Sequence, residues 1–216
     1  MSPHGRPKGE FPPRAWRQGS AMSLQTVRLD RVAPQPWKNG GGRTRELLAW
    51  PDAAHWQLRI SVADIERDGP FSPYPGIERW ITVVSGAGMV LAWPDRHHRQ
   101  GRTSPPFRFD GGTPPHCELL DRASADLNLM VRRDAGAGTL AVAEPDVEHV
   151  SRARWRGLFA ADATRLQIDD TDVATLQPGT LLWSDHAGRQ RWRVQPLDAS
   201  AARAWWIDYS PTEVPR

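Results

Sequence analysis

The sequence predicts an all-β protein with two barrel-like halves. Apolar and polar residues alternate in many short runs, and turn residues separate these runs every several positions. No segment of comparable length shows the 3.6-residue period of a helix. With 216 residues, 39% of them hydrophobic, the chain can bury a substantial core. Many short strands of this kind are typical of sandwiches and barrels.

The candidate strands fall into two series along the chain. The first series lies at residues 24–32, 44–50, 55–65, 77–85, 89–93, 107–110, 117–121 and 127–132. The second lies at residues 139–143, 155–160, 172–176, 180–184, 192–195 and 204–209. Between them, residues 144–154 contain Pro145 and many charges, which predicts a linker or a short helix. We therefore expect an N-terminal unit at 23–143 and a smaller C-terminal unit at 144–212.

The excess positive charge is confined to the first 22 residues. The chain has 28 basic and 25 acidic residues, and residues 1–22 hold four of the basic and one of the acidic, which leaves 24 of each sign. This segment is rich in Pro and Gly and lacks the apolar stretch of a secretory signal, so we expect a disordered basic extension. Because nucleic-acid-binding proteins concentrate cations on a folded face, we expect no nucleic-acid partner.

Cysteine content and hydropathy indicate a cytoplasmic protein. Cys117 is the single cysteine, so no intrachain disulfide can form. No apolar run approaches the length that crosses a bilayer, so we expect no membrane partner. His116 precedes Cys117, but neighbours on a strand face opposite sides, which favours a buried, inert thiol over a nucleophile.

The segment PWKNGGGRTRE, residues 36–46, places Trp37, Lys38 and Asn39 before three glycines. Glycine allows positive φ and close approach of another group, which suits the lip of a pocket or a surface turn. Lys38 and successive backbone N–H groups could attract an anion there. The spacings of phosphate-binding and dinucleotide-binding loops are missing. Taken alone, this segment favours a surface turn.

Polar side chains lie on one face of each of three predicted strands. Arg59 and Ser61 share a face because apolar residues occupy the alternate positions. A second strand places Asp126, Asn128, Met130 and Arg132 on one face in the same way, and Arg79 begins a third strand. Two guanidinium groups beside a hydroxyl and an amide suit a carboxylate, which accepts paired N–H bonds. Each strand taken alone fits a solvent-exposed sheet face equally well, and only a barrel would bring the three faces together.

Four motifs resemble the HutD/Ves family of bacterial proteins: PWKNGGGRTREL, RISVADI, GPFSPYPGIERWITVVSGAG and DLNLMVRR. The resemblance covers about residues 23–210 and implies a bicupin, with two RmlC-like jelly-roll (cupin) barrels packed together and a pocket in the N-terminal barrel. It also implies a sensor or regulator, since members are often encoded beside histidine-degradation genes. The matching motifs imply eight ligand-binding residues: Trp37, Lys38, Asn39, Arg59, Ser61, Phe71, Arg79 and Asn128.

The metal-binding motif of catalytic cupins does not match this sequence. Such cupins hold a transition metal through two His, one Glu and a later His. Residues 69–86 contain no His, and Arg79 lies near the usual Glu position. His116 could stand for the late His, but one imidazole does not make a site. We therefore predict no bound metal and no other cofactor.

We expect the pocket to bind a small carboxylated metabolite. Arg59 and Arg79 would hold the carboxylate, Ser61 and Asn128 would orient the ligand, and Trp37 with Phe71 would form an apolar wall. Candidate ligands are intermediates of histidine breakdown: a formylated or formiminated glutamate, or urocanate.

Two other functions stay open, as does a homodimer. The chain could be a cofactor-independent cupin enzyme, an isomerase or hydrolase acting on a small carboxylate through Glu46 or Asp126. It could also be a structural protein that binds a partner and has an accidental pocket.

Overall fold

The structure is a computed structural model that describes residues 23–197 and 203–212. Over these residues it contains nineteen strands and one short 3-10 turn, Leu29–Arg31, so the all-β prediction is confirmed. None of the helical segments in the described chain is long and apolar enough to span a bilayer. The extension predicted at 1–22 lies outside the described residues.

Ten consecutive strands form the first two sheets. They are β2 (Gln35–Pro36), β3 (Gly42–Trp50), β4 (Leu58–Ile65), β5 (Gly69–Pro70), β6 (Ile77–Ser85), β7 (Gly88–Ala92), β8 (His97–Gly101), β9 (Phe107–Asp110), β10 (His116–Leu119) and β11 (Ser124–Arg132). Six of them form a sheet in the order β2-β3-β4-β11-β6-β9, and the other four form a smaller sheet in the order β5-β10-β7-β8.

The remaining nine strands form two further sheets. They are β1 (Gln25–Arg28), β12 (Gly136–Val142), β13 (His149–Val150), β14 (Trp155–Ala160), β15 (Thr164–Ile168), β16 (Thr171–Leu176), β17 (Thr180–Ser184), β18 (Arg191–Pro196) and β19 (Ala204–Pro211). A five-stranded sheet has the order β1-β17-β14-β19-β12, and a four-stranded sheet has the order β13-β18-β15-β16.

Three apolar cores pack the four sheets together. The central core lies between the two larger sheets, where Leu58 and Leu127 of one meet Trp155 and Ile207 of the other. An outer core joins the six-stranded sheet to its smaller neighbour. A second outer core, which contains Trp192, joins the five-stranded sheet to the four-stranded sheet β13-β18-β15-β16. The two larger sheets are therefore buried on both faces.

Most predicted strands are present. The segment 144–154, predicted as a linker or a short helix, contains no helix and is irregular apart from the two-residue strand β13. His97 and His98 form the first residues of β8, a strand that the sequence pattern did not predict. The sequence pattern also missed β2 and β5, because strands of two residues give no clear alternation, and it missed the five-residue strand β15.

Strands β1 and β12 belong to the sheet formed by later strands. β1 pairs with β17, and β12 pairs with β19. Both lie within the range predicted for the N-terminal unit, 23–143. The chain therefore enters the five-stranded sheet, leaves it to form the first two sheets, and then returns.

Candidate functional site

A pocket of about 560 Å³ lies against the six-stranded sheet, on the face that points away from the central core. Strands β3, β4, β6 and β11 supply its floor, and the segments around Trp37 and Phe71 close its sides. The lining residues are Gln35, Pro36, Trp37, Lys38, Asn39, Thr44, Arg59, Ser61, Ala63, Pro70, Phe71, Ser72, Tyr74, Arg79, Asp126, Asn128 and Met130.

All eight residues predicted to bind the ligand line this one pocket: Trp37, Lys38, Asn39, Arg59, Ser61, Phe71, Arg79 and Asn128. The structure therefore brings together the three polar strand faces that were identified separately in the sequence. That these residues bind a ligand stays a prediction.

The alternation of side chains along the strands explains this convergence. In β4, Leu58, Ile60 and Val62 belong to the central core, so Arg59 and Ser61 project into the pocket. Met130 of β11 lies opposite Arg59 on one side and opposite Arg79 on the other. Since neighbouring strands are about 4.8 Å apart, the backbones of the two arginines are about 10 Å apart.

Arg79 is held among aromatic rings. Its guanidinium carbon lies 5.0 Å from the ring centre of Phe71, 5.7 Å from that of Tyr74 and 5.1 Å from that of Phe109. The residue is only 6% exposed. Burial lowers the pKa of Arg79 to about 10, so the side chain is still a cation at neutral pH. The aromatic contacts compensate in part for the loss of hydration.

Asn128 connects Arg79 to a buried acid. Nη2 of Arg79 donates a hydrogen bond of 2.5 Å to Oδ1 of Asn128. Nδ2 of Asn128 donates one of 2.7 Å to Oδ2 of Asp126. Asp126 is 0% exposed, and burial raises the pKa of its carboxyl group to about 7 although Arg79 opposes that rise. The buried end of the pocket thus holds a cation and a weakly acidic carboxyl group, separated by one amide.

Arg59 has a different partner. Its Nε donates a hydrogen bond of 2.6 Å to Oε2 of Glu46, and its Nη1 lies 3.7 Å from the sulfur of Met130. Glu46 itself does not appear among the lining residues. The glutamate weighed as a catalytic acid or base therefore serves to hold an arginine.

The glycine-rich segment forms the lip of the pocket. Nε1 of Trp37 donates a hydrogen bond of 2.8 Å to Oγ1 of Thr44 and fixes the indole at the rim. Gly40 has a φ of +67°, and a Cβ on Gly42 would come within 2.3 Å of the carbonyl oxygen of Asp64. The turn requires a glycine at position 40 because of its positive φ, and the close approach of β4 requires one at position 42. Lys38 is exposed beside them.

Three backbone N–H groups in this turn already donate hydrogen bonds within the protein. Those of Trp37 and Gly40 donate to carbonyl oxygens within the turn, and that of Gly41 donates to Oδ1 of Asn39. The suggestion that successive N–H groups there bind an anion is therefore wrong for these three.

The residues of the pocket do not suit a transition metal. Asp126 is the one carboxylate among the lining residues, which include no His and no Cys. Within the described ranges, no three His, Cys, Asp or Glu side chains come close enough together to hold a metal ion. His116 is exposed on β10. A site of this composition offers too few ligands for a resident metal.

Cys117 faces the outer core and is 1% exposed. Burial raises the pKa of its thiol to about 12, which keeps it protonated and unreactive.

Sequence reasoning did not identify every residue that shapes the pocket. Tyr74 and Phe109 contact Arg79, and the sequence pattern predicted neither as a neighbour of this residue. The signal was present for Tyr74, which lies in the GPFSPYPG stretch that immediately precedes the Arg79 strand.

Comparison with solved structures defines the class of the fold. Oxalate decarboxylase from Bacillus subtilis superposes with a TM-score of 0.60 at 9% identity, covering 91% of this chain and 80% of that one. Protein YlbA from E. coli gives 0.61 at 8% identity, covering 94% and 100%. At such identities the likeness concerns the fold alone, and it places the chain among cupin-like proteins.

The chain belongs to the HutD family, whose profile matches residues 30–202. HutD from Pseudomonas fluorescens SBW25, solved in a formate condition, has a TM-score of 0.77 at 25% identity, covering 88% of this chain and all of that one. A conserved protein of unknown function from Pseudomonas aeruginosa PAO1, PA5104, has a TM-score of 0.78 at 26% identity with the same coverage.

Curated relatives match about half of the chain. Protein Ves from Citrobacter koseri is 37% identical over 112 residues, which are 50% of this chain and 58% of that protein. A 21.2 kDa protein encoded in the hutC 3' region of Pseudomonas putida is 39% identical over 111 residues, 50% and 57% of the two chains. Each alignment therefore covers less than two thirds of the relative.

Proposed function

We propose that this protein is a metal-free bicupin that binds a small carboxylated metabolite in its N-terminal pocket and acts as a sensor or regulator in histidine utilisation. The observation that carries the proposal is the position of Arg79. This cation is almost fully buried, lines the pocket, and within the described ranges donates to the Asn128 amide instead of pairing with an acidic residue. A buried charge is costly unless it is paired, so a ligand anion is its natural partner.

The remaining lining supports the same ligand class. Lys38 adds positive charge at the mouth, while Ser61 offers a hydroxyl group and Phe71 with Trp37 forms an apolar wall. A volume of about 560 Å³ lies within the usual range of small-molecule sites. A metabolite with one or two carboxylates and a short carbon chain fits this combination.

The histidine-utilisation role draws on the family. HutD membership and the relative from the hutC 3' region support a link to that pathway. Our candidate ligands are a formylated or formiminated glutamate, and urocanate. We place the protein in the cytoplasm, without nucleic-acid or membrane partners, because it has a single cysteine and because its charges balance outside residues 1–22.

A cofactor-independent enzyme is the second candidate, and one observation favours it. Asp126 combines complete burial in the pocket with a pKa raised to about 7, as expected of a general acid or base. Glu46 is a weaker candidate because Arg59 holds it outside the lining.

A thermal-shift screen tests the proposal. Glutarate, urocanate, formylglutamate and formiminoglutamate are each added to the protein, and 1,5-pentanediol, which has the carbon chain of glutarate without its charges, serves as the control. A ligand at a hundredfold excess over Kd stabilises the fold by about 2.7 kcal/mol, which raises Tm by roughly 5–10 °C in a protein of this size. We expect a rise with at least one carboxylate and none with Arg79→Ala.

Incubation followed by product analysis separates the two candidates. An unchanged ligand supports the sensor, and turnover that Asp126→Asn abolishes supports the enzyme. The absence of any shift with all four carboxylates would contradict carboxylate binding.

A further inference from the structure

One oxygen atom at the buried end of the pocket has no hydrogen-bond partner. Oδ2 of Asp126 accepts from Asn128, but Oδ1 is buried without any partner in the described structure. The orientation of the Asn128 amide is fixed, because Arg79 can only donate and therefore faces its oxygen. Oδ1 of Asp126 is thus the atom that remains for a ligand.

The surroundings of Asp126 offer it little support as an anion. Ala63 of β4 and Val83 of β6 lie directly opposite it in the neighbouring strands. The charged or titratable groups around it are Arg79 on β6, the Cys117 thiol on β10 and Asp64 on β4. Asp64 is itself bound by Arg43 and Arg45. Arg79 is therefore the one group among these that favours an ionised Asp126, and it acts across the Asn128 amide.

A carboxylate bound to Arg79 would remove that support. Nε of Arg79 is also buried without a hydrogen-bond partner, so the guanidinium has capacity for a ligand oxygen. Once an anion neutralises Arg79, two carboxylates would face one shared cation in a buried site. Such pairs are favourable only when one of them takes up a proton.

The position of that proton follows from the hydrogen bonds. Oδ2 already accepts from Asn128, so a proton on Asp126 resides on Oδ1. Oδ1–H then becomes a donor directed at a ligand oxygen, and the unpartnered atom is satisfied.

We infer that the pocket binds its carboxylate ligand together with one proton, which Asp126 holds on Oδ1 and donates as a hydrogen bond to the ligand. The inference rests on the proposed function, because it requires a carboxylate at Arg79. It makes Asp126 a ligand-binding residue and couples occupancy of the site to pH. The raised pKa of Asp126, about 7, means that the proton is taken up near physiological pH.

The dissociation constant of formate, measured between about pH 5.5 and 8.5, tests this coupling. Carboxylates such as formate titrate near pH 4, so the probe stays ionised throughout. Uptake of one proton predicts a Kd that is nearly constant below about pH 7 and rises by about tenfold for each pH unit above it. Isothermal titration calorimetry measures this Kd at each pH.

Two variants sharpen the measurement. Asp126→Asn places an amide donor where the Oδ1–H would lie, so its Kd should not change with pH and should match the low-pH value of the wild type. Asp172→Asn removes an exposed carboxylate on β16, in the sheet on the far side of the molecule, and should keep the pH dependence of the wild type.

Direct proton counting makes the test independent of folding defects in a variant. Formate added to the wild-type protein in weakly buffered solution near pH 8 should take up close to one proton for each molecule bound. Formate binding without proton uptake, or with a Kd that does not change with pH, would overturn the inference. The proposal that the pocket binds a carboxylate would still stand. A site that binds neither formate nor any of the four carboxylates of the thermal-shift screen at any pH would refute the proposed function itself, and this inference with it.

Discussion

Arg59 and Glu46 are joined by a hydrogen bond of 2.6 Å between Nε and Oε2, on adjacent strands beside the pocket. An irregularity in β3 between Glu46 and Leu48 sets Glu46 opposite Ser61, within reach of Arg59. Arg59 is therefore already partly neutralised, whereas Arg79 contacts an amide and three aromatic rings. The two arginines that looked equivalent in the sequence differ in their capacity for an anion.

Replacing Arg59 with alanine should weaken glutarate binding. The change removes a charged donor and leaves Glu46 beside the pocket without a partner, so we expect a loss of at least about 1.5 kcal/mol, or about tenfold in Kd. Isothermal titration calorimetry measures it. Glu46→Gln is the matched control, and it should bind at least as tightly as the wild type because Arg59 is released. An unchanged Kd in Arg59→Ala would exclude this residue from the site.

Replacing Arg79 with lysine should also impair binding, although the charge is kept. Lysine lacks the planar group that contacts Phe71 and donates to Asn128, so we expect a Kd raised by tenfold or more. Arg108→Lys provides the comparison, because Arg108 also lies over an aromatic ring but is 60% exposed on the other sheet face. Equal affinities for the two lysine variants would show that a point charge suffices.

Gly42→Ala should destabilise the protein and deform the rim. Its Cβ would meet the carbonyl oxygen of Asp64 at 2.3 Å, so β3 and β4 would have to separate. We expect a loss of about 1–3 kcal/mol in the free energy of unfolding, measured by urea denaturation. Gly69→Ala is the control, since nothing lies within 4 Å of a Cβ there. Similar losses at both positions would mean that the close strand contact is not the cause.

Asp126 should make stability depend on pH. Its pKa is raised from 3.8 to about 7 in the folded protein, so the native state keeps a proton that the unfolded chain releases between these values. The unfolding free energy contributed by this residue therefore falls as pH rises from about 4 to about 7, and is level above that. Urea denaturation across this range should show wild-type stability falling relative to Asp126→Asn. A constant difference between the two proteins would contradict the raised pKa.

Strand alternation made much of the pocket predictable. Arg59 and Ser61 had to share a face once Leu58, Ile60 and Val62 were assigned to the core, and the same rule placed Asn128 beside them. What alternation could not supply was the pairing between strands. Which carboxylate would meet Arg59, and which amide would meet Arg79, depended on register and on the irregularity near Glu46.

The raised pKa of Asp126 could not be predicted from the sequence either. The residues opposite it, Ala63 and Val83, are distant in the chain and are brought beside it only by the pairing of β4 and β6 with β11. A pKa follows from such surroundings and not from residue type. The aromatic rings around Arg79 come from a turn and from the edge strand β9. The alternation of apolar and polar residues does not predict which strand these two elements pack against.

The return of β12 to the sheet that already holds β1 bears on how the polypeptide can be divided. A fragment that ends at residue 143 would keep both strands but lose β17 and β19, the strands with which they pair. Its seven-residue ribbon Gly136–Val142 carries no charge to discourage association with other molecules. Expression of either half alone should consequently give aggregation, so a protein used for ligand studies must contain both halves.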